Sequence, residues 1–177
     1  MSLEEFGRTV CWWSAGAASN AAAFLALKDE PEALVCYCDT SATEHPDNLR
    51  FLRDCERLLG VSIQRLRSKK YVDIWDVFAR RRFLVGPYGA QCTVVLKKDV
   101  RRAFQRPSDI QVFGFTTEEQ SRALRFERQN KDVDCWFPMI ERGWTKQDCI
   151  DLLRTHEVAL PTMYRLGYRN NNCIGCV

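Results

Sequence analysis

The sequence predicts an α/β fold, a five-stranded and mainly parallel sheet flanked by helices. Three observations carry this expectation. Short apolar runs alternate with amphipathic or alanine-rich stretches, the connections between them are short, and no segment repeats or becomes low-complexity. Strand and helix in that alternation imply crossover connections, and crossovers build parallel sheets.

Each element has its own signal. Residues 8–13, RTVCWW, form an apolar run suited to a strand buried on both faces. A helix follows from about Ser19 and stops before Pro31. Residues 33–40, ALVCYCDT, read as a second buried strand. The amphipathic helix 45–60 has Pro46 near its start and Gly60 at its end, with Leu49, Leu52, Cys55, Leu58 and Leu59 expected on one face. A third strand is expected at 61–66, helices at 71–83 and 93–104 with a turn-rich loop at 86–92 between them, and a fourth strand at 109–115. Thr117 with Gln120 reads as a capping box opening a helix to about Gln129. Residues 134–140 give a fifth strand or extended segment. Thr145 with Asp148 caps a last helix to about Thr155, and the tail from Pro161 reads as loop.

With 177 residues the chain is expected to form one domain, residues 1–177, carrying a cysteine loop at 160–177. Hydrophobic residues make up 46% and charged residues 28%, an ordinary balance for a soluble protein. A net charge of +3 is too small to argue for nucleic acid by itself. No apolar run is long enough to span a membrane, and the first ten residues lack the basic and apolar regions of a signal peptide, so a cytoplasmic protein is expected. There are nine cysteines; in a reducing compartment these are buried, catalytic or metal-bound rather than paired.

The junction Ser14-Ala15-Gly16-Ala17-Ala18-Ser19 carries the clearest functional signal. A small-residue turn running into a helix presents free backbone N–H groups and the positive end of the helix dipole, and small side chains let an anion approach them. Ser14 and Ser19 add hydroxyls. The plainer alternative is a tight turn with close helix packing. In parallel sheets ligands bind beyond the carboxyl ends of the strands, which is where this junction, Asp39 with Thr40, Gly114 and the loop around Cys92 are expected. Asp39 is a candidate for a ribose or metal contact, or else a cap. Arg122 and Arg125 are candidates for clamping a second anionic group. Of Lys97 and Lys98, one is expected to face a phosphate or cluster sulfide and the other solvent. His45 reads as a cap, Arg80–Arg82 as an exposed helix end, and Asn170–Asn172 as turn residues. Cys173-Ile-Gly-Cys176 places two thiols within reach of one centre, whether a zinc half-site, a redox pair or a cluster. Cys92 is the third candidate ligand. Cys11, Cys36, Cys55 and Cys149 read as packing, and Cys38 and Cys135 stand between the two roles.

Five stretches, in order, resemble the PP-loop superfamily of nucleotide-binding enzymes and its Rossmann-like fold. SAGAAS resembles that family's Ser-Gly-Gly-x-Asp-Ser loop; CYCDTSATEHPDN resembles its Asp-Thr strand end; VFGFTTEEQSRALRF resembles its fourth-strand end; WFPMIERGWTKQDCIDLL resembles its Pro-Ile … Trp-Thr helix start; PTMYRLGYRNNNCIGC resembles the cysteine region of the sulfonucleotide reductases. The nearest resemblance is to the phosphoadenosine phosphosulfate reductase branch, in forms often carried by phages and mobile elements. It implies an oxidoreductase of sulfur metabolism that binds an adenine nucleotide through Ser14–Ser19, Asp39, Thr40, Gly114 and Arg122, with a thiol reductant such as thioredoxin as partner. QCTVVLKKDV resembles the Cys-Cys … Arg-Lys segment of reductases that hold a 4Fe-4S cluster. The resemblance therefore implies an iron–sulfur cluster on Cys92, Cys173 and Cys176, with zinc as the alternative metal. Three departures stand out. The family's loop aspartate is Ala18, its second loop position is Ala15, and the first cysteine of its pair is Gln91. The nucleophilic cysteine of that class lies beyond the Cys-x-x-Cys, so no catalytic residue is assigned. An ATP-dependent sulfurtransferase and a non-catalytic nucleotide-binding relative remain the alternative functions.

Overall fold

The structure is a computed structural model that describes residues 7–87, 89–171 and 173–174. Strands β1 (Thr9–Trp13), β2 (Leu34–Cys38), β3 (Gln64–Leu66), β6 (Ile110–Val112) and β7 (Asp134–Trp136) form one sheet in the order β3-β2-β1-β6-β7. All four pairings are parallel. The five-stranded parallel α/β architecture expected from the sequence is therefore what the chain adopts. Val85–Gly86 (β4) and Gly89–Ala90 (β5) add a small antiparallel ladder.

The chain leaves β1 for β2 and β3 on one side, then crosses back to lay β6 and β7 on the other. The strand order thus reverses between β1 and β6, which opens a crevice above their carboxyl ends. Helix α1 (Ala17–Asp29) starts at that point. Its alanines Ala17, Ala21, Ala22, Ala23 and Ala26 are all buried, because the helix lies against β1 on one side and helix α8 (Lys146–Thr155) on another. A helix apolar on every side is a buried helix, and alanine lets its neighbours approach closely. Beneath it Trp13 stacks on Phe51 of helix α2 (Asn48–Leu59) at 5.9 Å and meets Tyr37 edge-on at 5.3 Å. At the amino-terminal end of the strands, Arg8 clamps Asp109 through Nε (2.9 Å) and Nη2 (2.7 Å), which ties the start of β1 to the turn before β6.

Several elements differ from the sequence expectation. The third strand pairs only over 64–66, because Gln64 and Arg65 lie on an exposed sheet edge. The fourth ends at Val112, where the chain bends away and Gly114 passes against α1. The fifth stops at Trp136, and Pro138 opens the short helix α7 (Pro138–Glu141). Helix α3 covers Ile74–Arg81. The next helix begins at Gln91 as α4 (Gln91–Thr93), passes through a π turn at Val94–Lys98 and continues as α5 (Asp99–Phe104). Thr117 makes no capping box: it sits in a 3-10 turn and its hydroxyl donates to Trp144 O, while α6 (Gln120–Gln129) starts from Glu119 with no side-chain cap. The Thr145–Asp148 capping box is present. Leu49 is exposed, and Phe51 takes the buried face of α2 instead. The tail is not wholly loop, since α9 (Thr162–Arg165) forms within it. Among the described residues no helix is long and apolar enough to cross a membrane.

Candidate functional site

A cleft of about 960 Å³ opens above the carboxyl ends of β1, β2 and β6. Its floor is the β1–α1 junction. Ser14 leaves the strand, Ala15 takes a left-handed backbone (φ 57°), and Gly16 caps α1 with an extended one (φ −109°). An alanine rarely adopts the left-handed region, so the surrounding contacts must hold it there. Ser19 supplies them from inside the helix. Its Oγ accepts from Ser14 N–H (2.9 Å) and from the Ser14 hydroxyl (3.1 Å), and donates to Gly16 O (3.0 Å). Gly114 completes the support. A Cβ there would lie 2.7 Å from Ser19 Cα and 2.8 Å from Ser19 N, so only glycine lets the end of β6 pass this close.

Ser14, Gly16, Ala18 and Ser19 line the cleft, while Ala15 and Ala17 are buried behind it. Ala17 N–H donates to the Tyr164 hydroxyl at 3.3 Å, so α9 reaches one of the amides at the helix start. Asn171 Nδ2 donates to Ala15 O (2.6 Å) and to Asn48 Oδ1 (2.8 Å). Asn48 Nδ2 in turn donates to Glu44, whose buried carboxylate also accepts from Tyr37 (2.7 Å) and Thr40 (2.6 Å). This polar chain joins the loop after β2, the start of α2 and the tail to the β1–α1 loop. Lys146 Nζ donates to Asn170 Oδ1 (2.8 Å) and to Arg169 O, and stands 5.3 Å over the Tyr164 ring.

The residues expected around the nucleotide divide. Thr40, Gly114 and Arg122 line the cleft with the loop. Asp39 does not line it. Its carboxylate accepts from Arg65 Nε (2.9 Å), Arg67 Nε (2.8 Å) and Ser41 N (3.0 Å) and is 1% exposed, because the arginines of the edge strand and the segment after it claim it. Burial alone would raise this carboxyl, but the hydrogen bonds from Ser41 and Arg67 hold it below the usual range. Arg122 is exposed, pairs with Glu119 at 2.6 Å and lies 5.0 Å over Phe115. His45 Nδ1 accepts from Asp47 N–H at 3.1 Å, a local cap before α2.

Cys92 and Cys173 both line the cleft, and both pack on the cluster of Ile74, Val77, Val95 and Leu96. Cys176 lies outside the described residues. Among the described residues no three His, Cys, Asp or Glu side chains come together as a metal site, so the described donors do not by themselves make a cluster centre. Burial pushes the Cys38 thiol up to about 11 and raises Cys173 as well, so neither is a ready thiolate at neutral pH. Cys11, Cys36, Cys55 and Cys149 are buried, in keeping with a packing role.

The sequence reading missed Tyr164, Asn171, Lys146 and Arg101 as residues of the cleft wall. Among the described residues, seven lysine and arginine side chains line the cleft against two carboxylates, Glu118 and Glu119. An open cleft with that charge, floored by a helix N-terminus, suits a polyanion.

No curated protein matches the chain. Among solved structures it is similar to phosphoadenylyl-sulfate (PAPS) reductase from Candida auris, determined as a phosphate complex. Sequence identity is 10%, the match covers 97% of this chain and 84% of that one, and the TM-score is 0.66. That likeness shows a shared fold. The profile of the phosphoadenosine phosphosulfate reductase domain matches residues 8–177, from the first strand of the sheet through the cysteine tail, and the chain therefore belongs to the phosphoadenosine phosphosulfate reductase domain family.

Proposed function

We propose that the cleft binds an adenine sulfonucleotide, with its 5′-phosphate on the amides at the start of α1, and that the chain acts as a phosphoadenosine phosphosulfate reductase-like oxidoreductase. The observation that carries this reading is the charge of the cleft. Ala18 lines it where an aspartate stands in ATP-cleaving relatives, and seven cationic side chains face two carboxylates. A carboxylate beside phosphates commonly helps hold magnesium. Its absence favours a ligand whose charge is met by arginine and lysine over magnesium-bound ATP. The phosphate held by the Candida auris reductase agrees with an anion site in this fold.

In such a reaction a thiolate attacks the sulfate sulfur and the nucleotide leaves with the electron pair of the S–O bond. A second thiol then attacks the resulting S-sulfonate, releasing sulfite and leaving a disulfide, so a dithiol donor of the thioredoxin kind supplies both electrons. The raised thiols of Cys38 and Cys173 assign neither as the nucleophile. Cys92 and Cys173 sharing one wall, with Cys176 three residues on, supports a three-thiolate iron–sulfur centre. Iron, sulfide and zinc counts on anaerobically purified protein test that centre: iron with sulfide supports it, zinc alone makes it structural, and neither returns Cys92 to packing.

The functional test offers phosphoadenosine phosphosulfate and magnesium ATP separately to anaerobic protein with a dithiol donor. Sulfite from the first supports the reading. Pyrophosphate and AMP from the second, without sulfite, overturn it in favour of an ATP-dependent sulfurtransferase. Tight nucleotide binding with neither product favours a non-catalytic relative.

A further inference from the structure

The outer face of α3 is not used by the fold. The helix buries Ile74 and Val77 in a cluster with Val95 and Leu96. On its other side Trp75, Ala79 and Arg82 are exposed at helical spacing, with exposed Val72 just before the helix. Five of the ten exposed large apolar side chains among the described residues lie between Val72 and Val85, so the apolar surface of the molecule concentrates here. Trp75 meets Phe78 edge-on at 6.0 Å, which steadies the indole while the residue stays 56% exposed; Phe83 is 44% exposed. The same segment is strongly basic. Arg67, Lys69, Lys70, Arg80, Arg81 and Arg82 stand against Asp73 and Asp76. Arg67 pairs with Asp39 and Arg80 with Asp76, while the Asp73 carboxylate caps α3 by accepting from Asp76 N–H. Lys69, Lys70, Arg81 and Arg82 are exposed and form no salt bridge among the described residues. Arg80 donates to Lys70 O (2.6 Å) and lies 4.6 Å over the Tyr71 ring, with Arg81 at 5.7 Å, so the cations after the helix gather against those before it.

We propose that this outer face of α3 binds a single-stranded nucleic acid, with bases on Trp75 and Phe83 and phosphates on Lys69, Lys70, Arg81 and Arg82. A single strand offers flat apolar bases at the spacing of its charges, and aromatic rings interleaved with unpaired cations meet both. A duplex hides the base faces that the rings would stack on. An acidic protein would also meet the charge, but protein interfaces are depleted of lysine and keep charge to their rim. A second copy of the chain would set these cations against their own kind. Trp75, Lys69, Lys70, Arg81 and Arg82 do not line the cleft, so the site is separate from the sulfonucleotide reading and does not rest on it.

The test titrates fluorescein-labelled oligothymidylate and oligouridylate of twenty nucleotides into wild type, Trp75→Ala, Trp75→Phe and the double variant Lys69→Gln with Arg81→Gln. Anisotropy reads binding, tryptophan emission reads stacking, and a melt of each variant checks the fold. Wild type is expected to bind one or both strands, the tighter one naming the sugar. With four phosphates neutralised, its affinity is expected to fall about 50-fold between about 50 and 200 mM salt. Trp75→Ala is expected to lose about 5- to 150-fold with the salt slope kept, and with it the quenching of tryptophan emission. Trp75→Phe is expected to recover most of that affinity, and the double variant to halve the slope. Saturating adenosine 3′,5′-bisphosphate is expected to leave strand binding unchanged, and every variant to bind the bisphosphate as wild type does. If wild type binds no bisphosphate but binds the strand with this variant pattern, the site stands and the sulfonucleotide reading falls. Several outcomes overturn the proposal. Displacement of the strand by the bisphosphate places it in the cleft. Equal affinity for a duplex of the same length, or an unchanged affinity in Trp75→Ala, reduces the contact to charge alone. Binding of poly-glutamate without binding of either strand gives the face to an acidic protein. Self-association in sedimentation that Trp75→Ala abolishes, again without strand binding, gives it to a second copy. No binding by wild type at low salt leaves the face a solvated surface.

Discussion

Ser19 holds the β1–α1 loop from inside the helix. Its hydroxyl is the only side-chain atom among the described residues that bonds both Ser14 and Gly16, and through them it keeps Ala15 in a left-handed conformation. Ser19→Ala is expected to cost about 1–2 kcal/mol of stability, since the Ser14 N–H loses its acceptor, and urea denaturation measures it. Gly114→Ala is expected to cost more, about 1–3 kcal/mol, because the new Cβ meets the Ser19 backbone at 2.7 Å and backbone cannot swing aside. The same denaturation series reads both, and a neutral Gly114→Ala would contradict the close packing of β6 on α1. The close-packed loop was legible in the sequence because six small residues gather at a strand-to-helix turn. Arg101 was not. The π turn at Val94–Lys98 inserts a residue into the helical register, so the 3.6-residue period carried across it assigns the wrong positions to the buried face.

One carboxylate anchors helix α9 to the start of α2. Asp47 accepts from Thr162 N–H (2.8 Å) and the Thr162 hydroxyl (2.9 Å), and from Arg50 Nε (2.8 Å) and Nη2 (2.9 Å). Asp47→Ala is expected to loosen α9, free the Ala17 amide from Tyr164, and expose the tail to limited proteolysis at lower protease concentration than wild type. Unchanged cleavage would show that Lys146 and Asn171 suffice to hold the tail. These contacts join residues more than a hundred positions apart, and no local period announces them. What sequence did announce at this scale was the set of elements with strong local signals: the alanine-rich α1, the Gly60 end of α2, and the capping box of α8. Strand ends were misplaced where the chain keeps an apolar composition after leaving the sheet, as at Phe113–Phe115, because those rings pack on Phe126 and Phe137 rather than on a neighbouring strand.

Across the whole molecule, arginine-paired carboxylates set the response to acid. Arg50 holds Asp47 well below the usual carboxylate range; Asp109 is lowered too, where burial is outweighed by the hydrogen bonds from Arg8 and Arg106. A lowered carboxyl contributes stability that is complete above its unfolded value, about pH 4, and is lost as pH falls through the folded value. The denaturation midpoint is therefore expected to hold near neutrality and fall steadily below about pH 4, and Asp109→Asn is expected to flatten that fall while lowering stability at pH 7. A midpoint that rises on acidification would contradict the pairing.

The order of strands places the β1–α1 junction at the reversal of the sheet, and the proposed function makes the charge of the cleft above it the feature that selects the ligand. Calorimetric titration of adenosine 3′,5′-bisphosphate and of magnesium ATP into wild type and Gly16→Val tests that claim most directly. Gly16 has an ordinary extended backbone, and the first carbon of a side chain there meets only the Tyr164 hydroxyl at 3.5 Å, so the variant folds while its branches cover the amides. The account predicts tighter binding of the bisphosphate than of magnesium ATP by wild type, and loss of that binding in a folded Gly16→Val. Magnesium ATP bound more tightly, or bisphosphate affinity unchanged in the variant, would contradict it.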